Sequence, residues 1–133
     1  IKNGGFNPGK LNKVAARYCT ALNIRTSSLG RRAGELSGGN QQKLLIARWL
    51  NTRVDVLIMD EPTQGIDVGA KFEIYQIMRK FVNEGRSILV ISSEINELLN
   101  ISDRIMVIKQ GKCVQILEAK QATEEQILSL AIR

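Results

Sequence analysis

The chain has 133 residues, of which 44% are hydrophobic, 5% aromatic and 24% charged, and its formal net charge is +6. This apolar content excludes a disordered tail and is sufficient for one domain with a core. No apolar run approaches the roughly 20 residues that cross a bilayer, and the N-terminus lacks the pattern of a secretory signal.

The residues of metal and thiol chemistry are scarce. There is no histidine, and the two cysteines, Cys19 and Cys113, are far apart and form no metal-binding spacing. A reduced, cytosolic protein without a zinc site is therefore expected. The basic residues are scattered and no aromatic stacking platform accompanies them, so we expect no binding to nucleic acid.

The first predicted element is a helix that follows a polar leader ending near Gly9. Its apolar face consists of Leu11, Val14, Ala15, Tyr18, Cys19 and Leu22. The leader contains the spacing Gly-x-x-x-x-Gly-Lys from Gly4 to Lys10, which superficially matches a phosphate-binding loop. Leu11 replaces the required hydroxyl residue, Pro8 interrupts the stretch and no apolar strand precedes it. We therefore interpret it as a chance match.

A second helix is predicted after the polar stretch 25–35. Ser37 is a suitable N-cap because its hydroxyl can accept a hydrogen bond from a first-turn amide. Gly38 and Gly39 have no side chains, so their amides can approach a ligand, and a helix N-terminus favours phosphate. Those three residues alone would also suit a plain loop and cap. The residues that follow fit a helix with one apolar face: Leu44, Leu45, Ala47, Arg48, Trp49 and Leu50.

A short apolar run, residues 54–59, leads directly into Asp60 and Glu61. A run of this length ended by Pro62 is typical of a buried strand in a parallel sheet. Ligands of such sheets bind at the carboxyl ends of the strands. Neighbouring strand residues point to opposite sides, so the two carboxylates should have different roles. The alternative is a solvated turn after a core strand.

The remaining elements alternate between helix and strand. Asp67 can cap a helix from about residue 69 to 84, which ends at Gly85 and buries Phe72, Ile74, Tyr75, Ile77, Met78 and Phe81. A second buried strand, residues 86–91, leads to Ser92, Ser93 and a short helix containing Ile95, Leu98 and Leu99. A hairpin of strands 104–109 and 113–117 should turn at Gln110 and Gly111. Thr123 then caps a closing helix through residue 131.

This order predicts an α/β fold with a partly parallel sheet. Residues 1–50 are expected to form a leader and a helical segment, and residues 51–133 the α/β core.

Two motifs in this order resemble those of ATP-binding cassette (ABC) ATPases. The first is Leu36-Ser37-Gly38-Gly39-Asn40-Gln41-Gln42-Lys43, similar to the ABC signature, and the second is the strand ending in Asp60-Glu61-Pro62-Thr63. Together with residues 60–71 and 91–104, they look like the second cassette of the tandem ATPase subunits of bacterial simple-sugar importers. The fold implied by this resemblance is a partial P-loop NTPase that lacks its Walker A half.

The resemblance also implies roles for individual residues. Contacts to ATP are implied for Ser37, Gly38, Gly39 and Asn40. Asp60 resembles the Walker B aspartate that holds Mg²⁺ through water, Glu61 the residue that polarises the attacking water, and Asp67 the D-loop aspartate. Ser93 stands where most of these ATPases have a switch histidine. Because serine cannot carry the charge or proton of an imidazole, this site is expected to be the weaker of the two.

The partners implied by the resemblance are another cassette in the same polypeptide and a membrane permease subunit, with a periplasmic sugar-binding protein acting indirectly. The location implied is the cytoplasmic face of the bacterial inner membrane. Without a plausible Walker A lysine, a Q-loop or an initiator methionine, the chain is expected to be an inactive segment of a longer polypeptide. The alternative is an ABC-type head of a DNA-repair or chromosome-structuring protein, although no charged heptad run is present.

Overall fold

The computed structural model describes residues 7–52 and 54–132. The α-helices of this part of the chain are α1 (Pro8–Ala21), α2 (Gly38–Leu50), α3 (Val68–Asn83), α4 (Ile95–Ile101) and α5 (Glu124–Ile132). The strands are β1 (Val56–Asp60), β2 (Ser87–Ile91), β3 (Arg104–Lys109) and β4 (Lys112–Glu118), and short 3₁₀ turns occupy Ala33–Glu35 and Ala119–Gln121.

The chain forms two compact units. The N-terminal unit contains the described residues up to Leu57 together with Thr63–Ile88, and the C-terminal unit contains Ile58–Pro62 and the described residues from Leu89 onward. The expected α/β class is confirmed, with helices before residue 50 and strands alternating with helices after it. The proposed division at residue 50 stays a prediction.

The start of helix α1 is set by its N-cap residue and by a proline in its first turn. The side chain of Asn7 accepts a hydrogen bond from the Lys10 amide at 3.1 Å, and Pro8 occupies the first turn, where a missing N–H costs nothing. Gly9 and Lys10 therefore belong to the first turn of α1, while Gly4 lies outside the described residues. The predicted apolar face is only partly buried, because no residue within α1 is fully buried.

A hydrophobic cluster of the N-terminal unit forms next to the end of α1. Leu22, Ile24 and Ala47 are buried together. Partly buried side chains surround this cluster: Tyr18, Cys19, Leu44, Leu50 and Ile77.

Helix α3 buries a single stripe formed by Ile74, Met78 and Phe81. These positions follow helical spacing and lie on one face. The predicted burial of Phe72 is wrong, since 62% of this residue is exposed. Phe72 lies two positions before Ile74, which places it on nearly the opposite side of the helix.

Strands β1 and β2 pair in the same direction. The Ser87 amide donates to the Asp55 carbonyl at 2.9 Å and the Glu61 amide donates to the Ile91 carbonyl at 2.8 Å, so both strands advance together. The predicted parallel pairing is thus present.

The predicted burial of both strands is wrong on one face. In β1, Leu57 and Met59 are buried, but Val56 and Ile58 are 60% and 65% exposed. Leu89 and Ile91 of β2 are also about half exposed. The apolar run indicates a strand covered on both faces, whereas in the described part of the chain one face is open.

The C-terminal unit contains an antiparallel hairpin. Strands β3 and β4 pair from Arg104 with Glu118 to Lys109 with Lys112, and the turn at Gln110 and Gly111 is confirmed. Both turn residues have positive φ, 49° and 74°, as a two-residue hairpin turn of this hand requires.

Helices α4 and α5 flank this hairpin, and the buried core is Ile105, Val107, Ala119 and Ile127. The predicted cap of α5 is confirmed, because Thr123 Oγ1 accepts the Gln126 amide at 3.2 Å. Gln126 Oε1 accepts the Thr123 amide in return at 3.1 Å, which completes a capping box. None of the helices among the described residues is both long and apolar enough to span a bilayer.

Candidate functional site

Ser37 lies immediately before α2 with an extended backbone, as an N-cap residue should. The predicted capping bond is wrong, because the Ser37 side chain accepts no hydrogen bond from a first-turn amide. Its hydroxyl oxygen instead accepts Asn40 Nδ2–H at 2.9 Å. Asn40 Oδ1 in turn accepts the Arg25 amide at 3.0 Å. Asn40 therefore links the signature serine to the preceding loop, and the first-turn amides are not used for capping by Ser37.

The two glycines of the signature have different surroundings. Gly39 is buried against α3, and a Cβ built on it would lie 2.6 Å from the Cβ of Ala70. Gly38 is exposed, and a Cβ there would lie 4.0 Å from the Gly65 carbonyl oxygen. Close packing thus explains why residue 39 is a glycine, in addition to the predicted ligand contact. It permits α2 to begin in close contact with the first turn of α3.

Replacing Gly39 by alanine should lower the stability of the protein by about 1–2 kcal/mol. Overpacking costs roughly 1–3 kcal/mol, and the better helix propensity of alanine returns up to about 1 kcal/mol. The measurement is the midpoint of thermal unfolding.

The matched control is Gly34→Ala, because a Cβ at Gly34 meets no atom within 4 Å. The double variant Gly39→Ala/Ala70→Gly should recover part of the loss, since it removes the colliding methyl group. Equal effects of Gly39→Ala and Gly34→Ala would contradict the packing role.

Asp67 caps the helix that follows it. Its Oδ1 accepts the Ala70 amide at 2.9 Å, so the predicted cap of α3 is confirmed. Ala70 is also the residue that contacts Gly39. The start of the signature helix and the start of the helix after Asp67 are therefore packed within one unit. The catalytic role of Asp67 stays a prediction.

A partly buried ion pair joins α2 to α3 within the N-terminal unit, and the sequence reasoning missed it. The Lys43 side chain is only 3% exposed, and its Nζ donates to Glu73 Oε2 and to the Asn23 carbonyl, both at 2.6 Å. Asn23 Nδ2 donates to Glu73 Oε1 at 2.9 Å. The sequence contains one indication that Lys43 is buried, since it lies on the same helix face as Ile46 and Ala47.

The pKa of Glu73 is lowered in this network. The hydrogen bond from Lys43 is the largest cause, and partial burial of the carboxyl opposes it. The positive charge of Lys43 and the hydrogen bond from Asn23 lower the pKa of Glu73 further.

Replacing Glu73 by glutamine should lower the free energy of unfolding at pH 7 by about 1 kcal/mol, because the carboxylate is about a third exposed and its ion pair is partly screened. A lowered pKa in the folded state means that the ionised form stabilises the fold. This contribution is complete above the unfolded-state pKa and is lost as the pH falls through the folded-state pKa.

Urea unfolding across this pH range measures the difference between the wild type and Glu73→Gln. The control is Glu35→Gln, which removes an exposed pair with Arg31 and should change stability little at any pH. A Glu73→Gln difference that stays constant from pH 7 to acid pH would contradict the ion-pair assignment.

The C-terminal unit contains the two carboxylates predicted at the end of β1. Asp60 is the last residue of the strand and is exposed. Glu61 follows with φ of 45°, a conformation uncommon for residues other than glycine. Glu61 is half-buried, and its Oε1 accepts the Ser93 amide at 2.8 Å. The two neighbouring carboxylates therefore have different surroundings, while their separate chemical roles stay predictions.

Ser93 contacts Glu61 through its main chain. The donor is the amide of Ser93, and the residue itself is exposed. Its neighbour Ser92 donates its hydroxyl hydrogen to Glu97 Oε2 at 2.5 Å, and Ser92 Oγ accepts the Glu94 amide at 3.1 Å. Glu97 is 5% exposed and was not among the predicted site residues. A charged residue in the first turn of a short helix gives no sign of burial in the sequence.

A family model described as ABC transporter matches residues 10–64. A galactose/methyl galactoside import ATP-binding protein from Clostridium tetani is 54% identical over 112 residues, which are 84% of this chain and 22% of that protein. A ribose import ATP-binding protein from Rubrobacter xylanophilus is 48% identical over 128 residues, which are 96% of this chain and 26% of that protein.

Solved structures with the same fold are ATP-binding cassettes. The ADP conformation of a cassette from an ABC transporter superposes with a TM-score of 0.72 at 26% identity, over 97% of this chain and 48% of that one. A nucleotide-free cassette gives 0.76 at 25% identity, over 97% and 49%.

The chain spans about a quarter of the length of the curated relatives it matches and about half of the solved cassettes. The signature stretch, the strand-end carboxylates and the fold all correspond to an ATP-binding cassette. Over residues 10–64 this chain matches the ABC transporter family, and its fold is that of an ATP-binding cassette.

Proposed function

We propose that this chain is the signature- and Walker B-bearing segment of a longer ATPase subunit that energises import of a monosaccharide across the bacterial inner membrane. We refer to that longer polypeptide as the full-length subunit. The observation that carries the proposal is the identity of 48–54% to proteins named for galactose and ribose import, over most of this chain.

The residues present suit ATP with Mg²⁺. Ser37 and Gly38 are exposed at the start of α2, a 13-residue helix, and its first-turn amides are not capped by Ser37. Such a helix start favours phosphate through its donors and its dipole. We propose that Ser37, Gly38, Gly39 and Asn40 act on a nucleotide held by the other cassette of the same polypeptide.

Asp60 is the proposed residue for Mg²⁺. Its carboxylate is at the end of β1 and exposed, and a single carboxylate suits an ion that keeps most of its water. When bound, Mg²⁺ neutralises charge on the phosphates. Glu61 would orient the attacking water, with Ser93 beside it through its amide. Asp67 is proposed separately as the D-loop aspartate.

The proposed partners are a membrane permease subunit and, indirectly, a periplasmic sugar-binding protein. The proposed location is the cytoplasmic face of the inner membrane, where the subunit is peripheral. The relatives' names as import ATP-binding proteins support both proposals.

The test is reconstitution of the full-length subunit with its permease in vesicles, followed by measurement of ATP-driven uptake of labelled galactose, ribose and arabinose. We expect uptake of at least one sugar and hydrolysis that rises with the loaded binding protein. Hydrolysis stimulated by DNA, with no uptake of any sugar, would contradict the proposal and favour a DNA-repair head.

The isolated chain should bind ATP weakly or not at all. Micromolar affinity requires about −8 kcal/mol, whereas a helix N-terminus supplies roughly 0.3–2 kcal/mol of anion stabilisation. Calorimetric titration with Mg-ATP measures this, with the full-length subunit as the positive control. A dissociation constant of a few micromolar for the isolated chain would contradict both this estimate and the interpretation of Gly4 to Lys10 as a chance match.

A further inference from the structure

Glu61 is hydrogen-bonded to the last residue of β2 and to the segment that follows this strand. Its amide donates to the Ile91 carbonyl at 2.8 Å, and its carboxylate accepts the Ser93 amide at 2.8 Å. These two bonds hold a residue whose backbone is in the left-handed region at φ 45°. Such a conformation persists where surrounding structure over-determines it. The orientation of the Glu61 carboxylate therefore depends on where the Ser93 amide points.

The direction of the Ser93 amide is in turn set by its neighbours. Ser92 donates its hydroxyl hydrogen to the buried carboxylate of Glu97 at 2.5 Å. The same Ser92 oxygen accepts the Glu94 amide at 3.1 Å. Ser93 thus lies between Ser92, which is bonded to the buried Glu97 carboxylate, and Glu94, whose amide is bonded to Ser92.

We propose that Glu97 and Ser92 are positioning residues that fix the orientation of the Ser93 amide, which donates a hydrogen bond to the Glu61 carboxylate. Both act through the main chain of Ser93. The proposal deepens the proposed ATPase function and rests on it. It also assigns the Ser93 position a contact that does not depend on the identity of its side chain.

The distinction between neighbouring serines makes the proposal testable. Ser92→Ala removes the hydroxyl that binds Glu97 and Glu94, whereas Ser93→Ala leaves the amide in place. Glu97→Gln retains an oxygen that can accept the Ser92 hydroxyl, whereas Glu97→Ala retains none.

The first measurement is hydrogen exchange of the Ser93 amide in the full-length subunit, resolved to single residues by mass spectrometry. Ser92→Ala and Glu97→Ala should accelerate exchange roughly fivefold, the effect expected when one net hydrogen bond is lost. Glu61→Ala removes the acceptor and should do the same. Ser93→Ala and Glu97→Gln should stay within about twofold of wild type. Unchanged exchange in Ser92→Ala, or equal acceleration in Ser93→Ala, would overturn the proposal.

The second measurement is hydrolysis, with the corresponding glutamate of the other cassette replaced by glutamine so that turnover reports on Glu61. Ser92→Ala should lower kcat about tenfold, with KM nearly unchanged, because it misplaces a positioned group. The control is Ser129→Ala on α5. A kcat unchanged in Ser92→Ala would overturn the positioning role. Failure of the unmodified full-length subunit to bind and hydrolyse ATP would instead contradict the proposed function, and amide exchange would still decide the structural proposal.

Discussion

Replacing Ser37 by arginine should abolish ATP-driven sugar uptake by the full-length subunit. Ser37 is exposed at the start of α2, where the proposed nucleotide of the other cassette would approach. The long cationic side chain of arginine would occupy the space that the phosphates need, so the two cassettes could not close. Since Ser37 is exposed, the same change should leave folding almost unaffected. Uptake and hydrolysis are measured in vesicles, and abundance and thermal unfolding in parallel.

The matched control is Ser129→Arg, which places the same side chain on an exposed residue of α5. This variant should transport sugar at nearly the wild-type rate. Normal uptake by Ser37→Arg, at wild-type abundance, would show that the signature does not face a nucleotide.

Replacing Glu61 by glutamine should reduce hydrolysis less than the equivalent change in the other cassette. Residues that act in proton transfer typically contribute about 10²–10⁴-fold, and the other cassette should show a loss of this size. At the site of Glu61, residue 93 offers an amide and a hydroxyl in place of an imidazole. We therefore expect this site to carry the smaller share of turnover.

The comparison requires steady-state hydrolysis by the two single variants and by the double variant. Glu84→Gln is the control, because Glu84 is exposed and paired with Arg86 on the surface. If Glu61→Gln alone removes nearly all hydrolysis while its counterpart is mild, the assignment of the two sites must be reversed.

Features that depend on neighbouring residues could be predicted from the sequence. The cap formed by Asp67, the capping box begun by Thr123 and the turn at Gln110 and Gly111 all have local physical causes. The order of helices and strands could also be predicted, because hydrophobic periodicity is a local pattern.

The features that could not be predicted depend on tertiary contacts. Ser37 has the sequence of a capping residue, yet its hydroxyl accepts the side chain of Asn40. The apolar run of β1 indicates burial on two faces, yet Ile58 is exposed. The pair of Lys43 with Glu73 joins residues 30 positions apart, and no local pattern specifies such a partner.

In the candidate site, too, the features with local causes could be predicted and those with tertiary causes could not. Asp60, Glu61 and Ser93 could be predicted to lie near strand ends, because parallel strands place their carboxyl ends at one edge. Two further contacts depend on the three-dimensional path of the chain after β2. Glu61 accepts a hydrogen bond from the Ser93 amide, and Glu97 accepts one from the Ser92 hydroxyl.

The central claim is that this signature acts on a nucleotide held by the other cassette. Its most direct test uses the Ser37→Cys variant of the full-length subunit and an ATP analogue with a thiol-reactive group on the γ-phosphate. Labelling at position 37 is located by mass spectrometry of the digested protein. We predict that labelling disappears when the Walker A lysine of the other cassette is replaced and persists when the lysine of the same cassette is replaced. The reverse pattern would contradict the account.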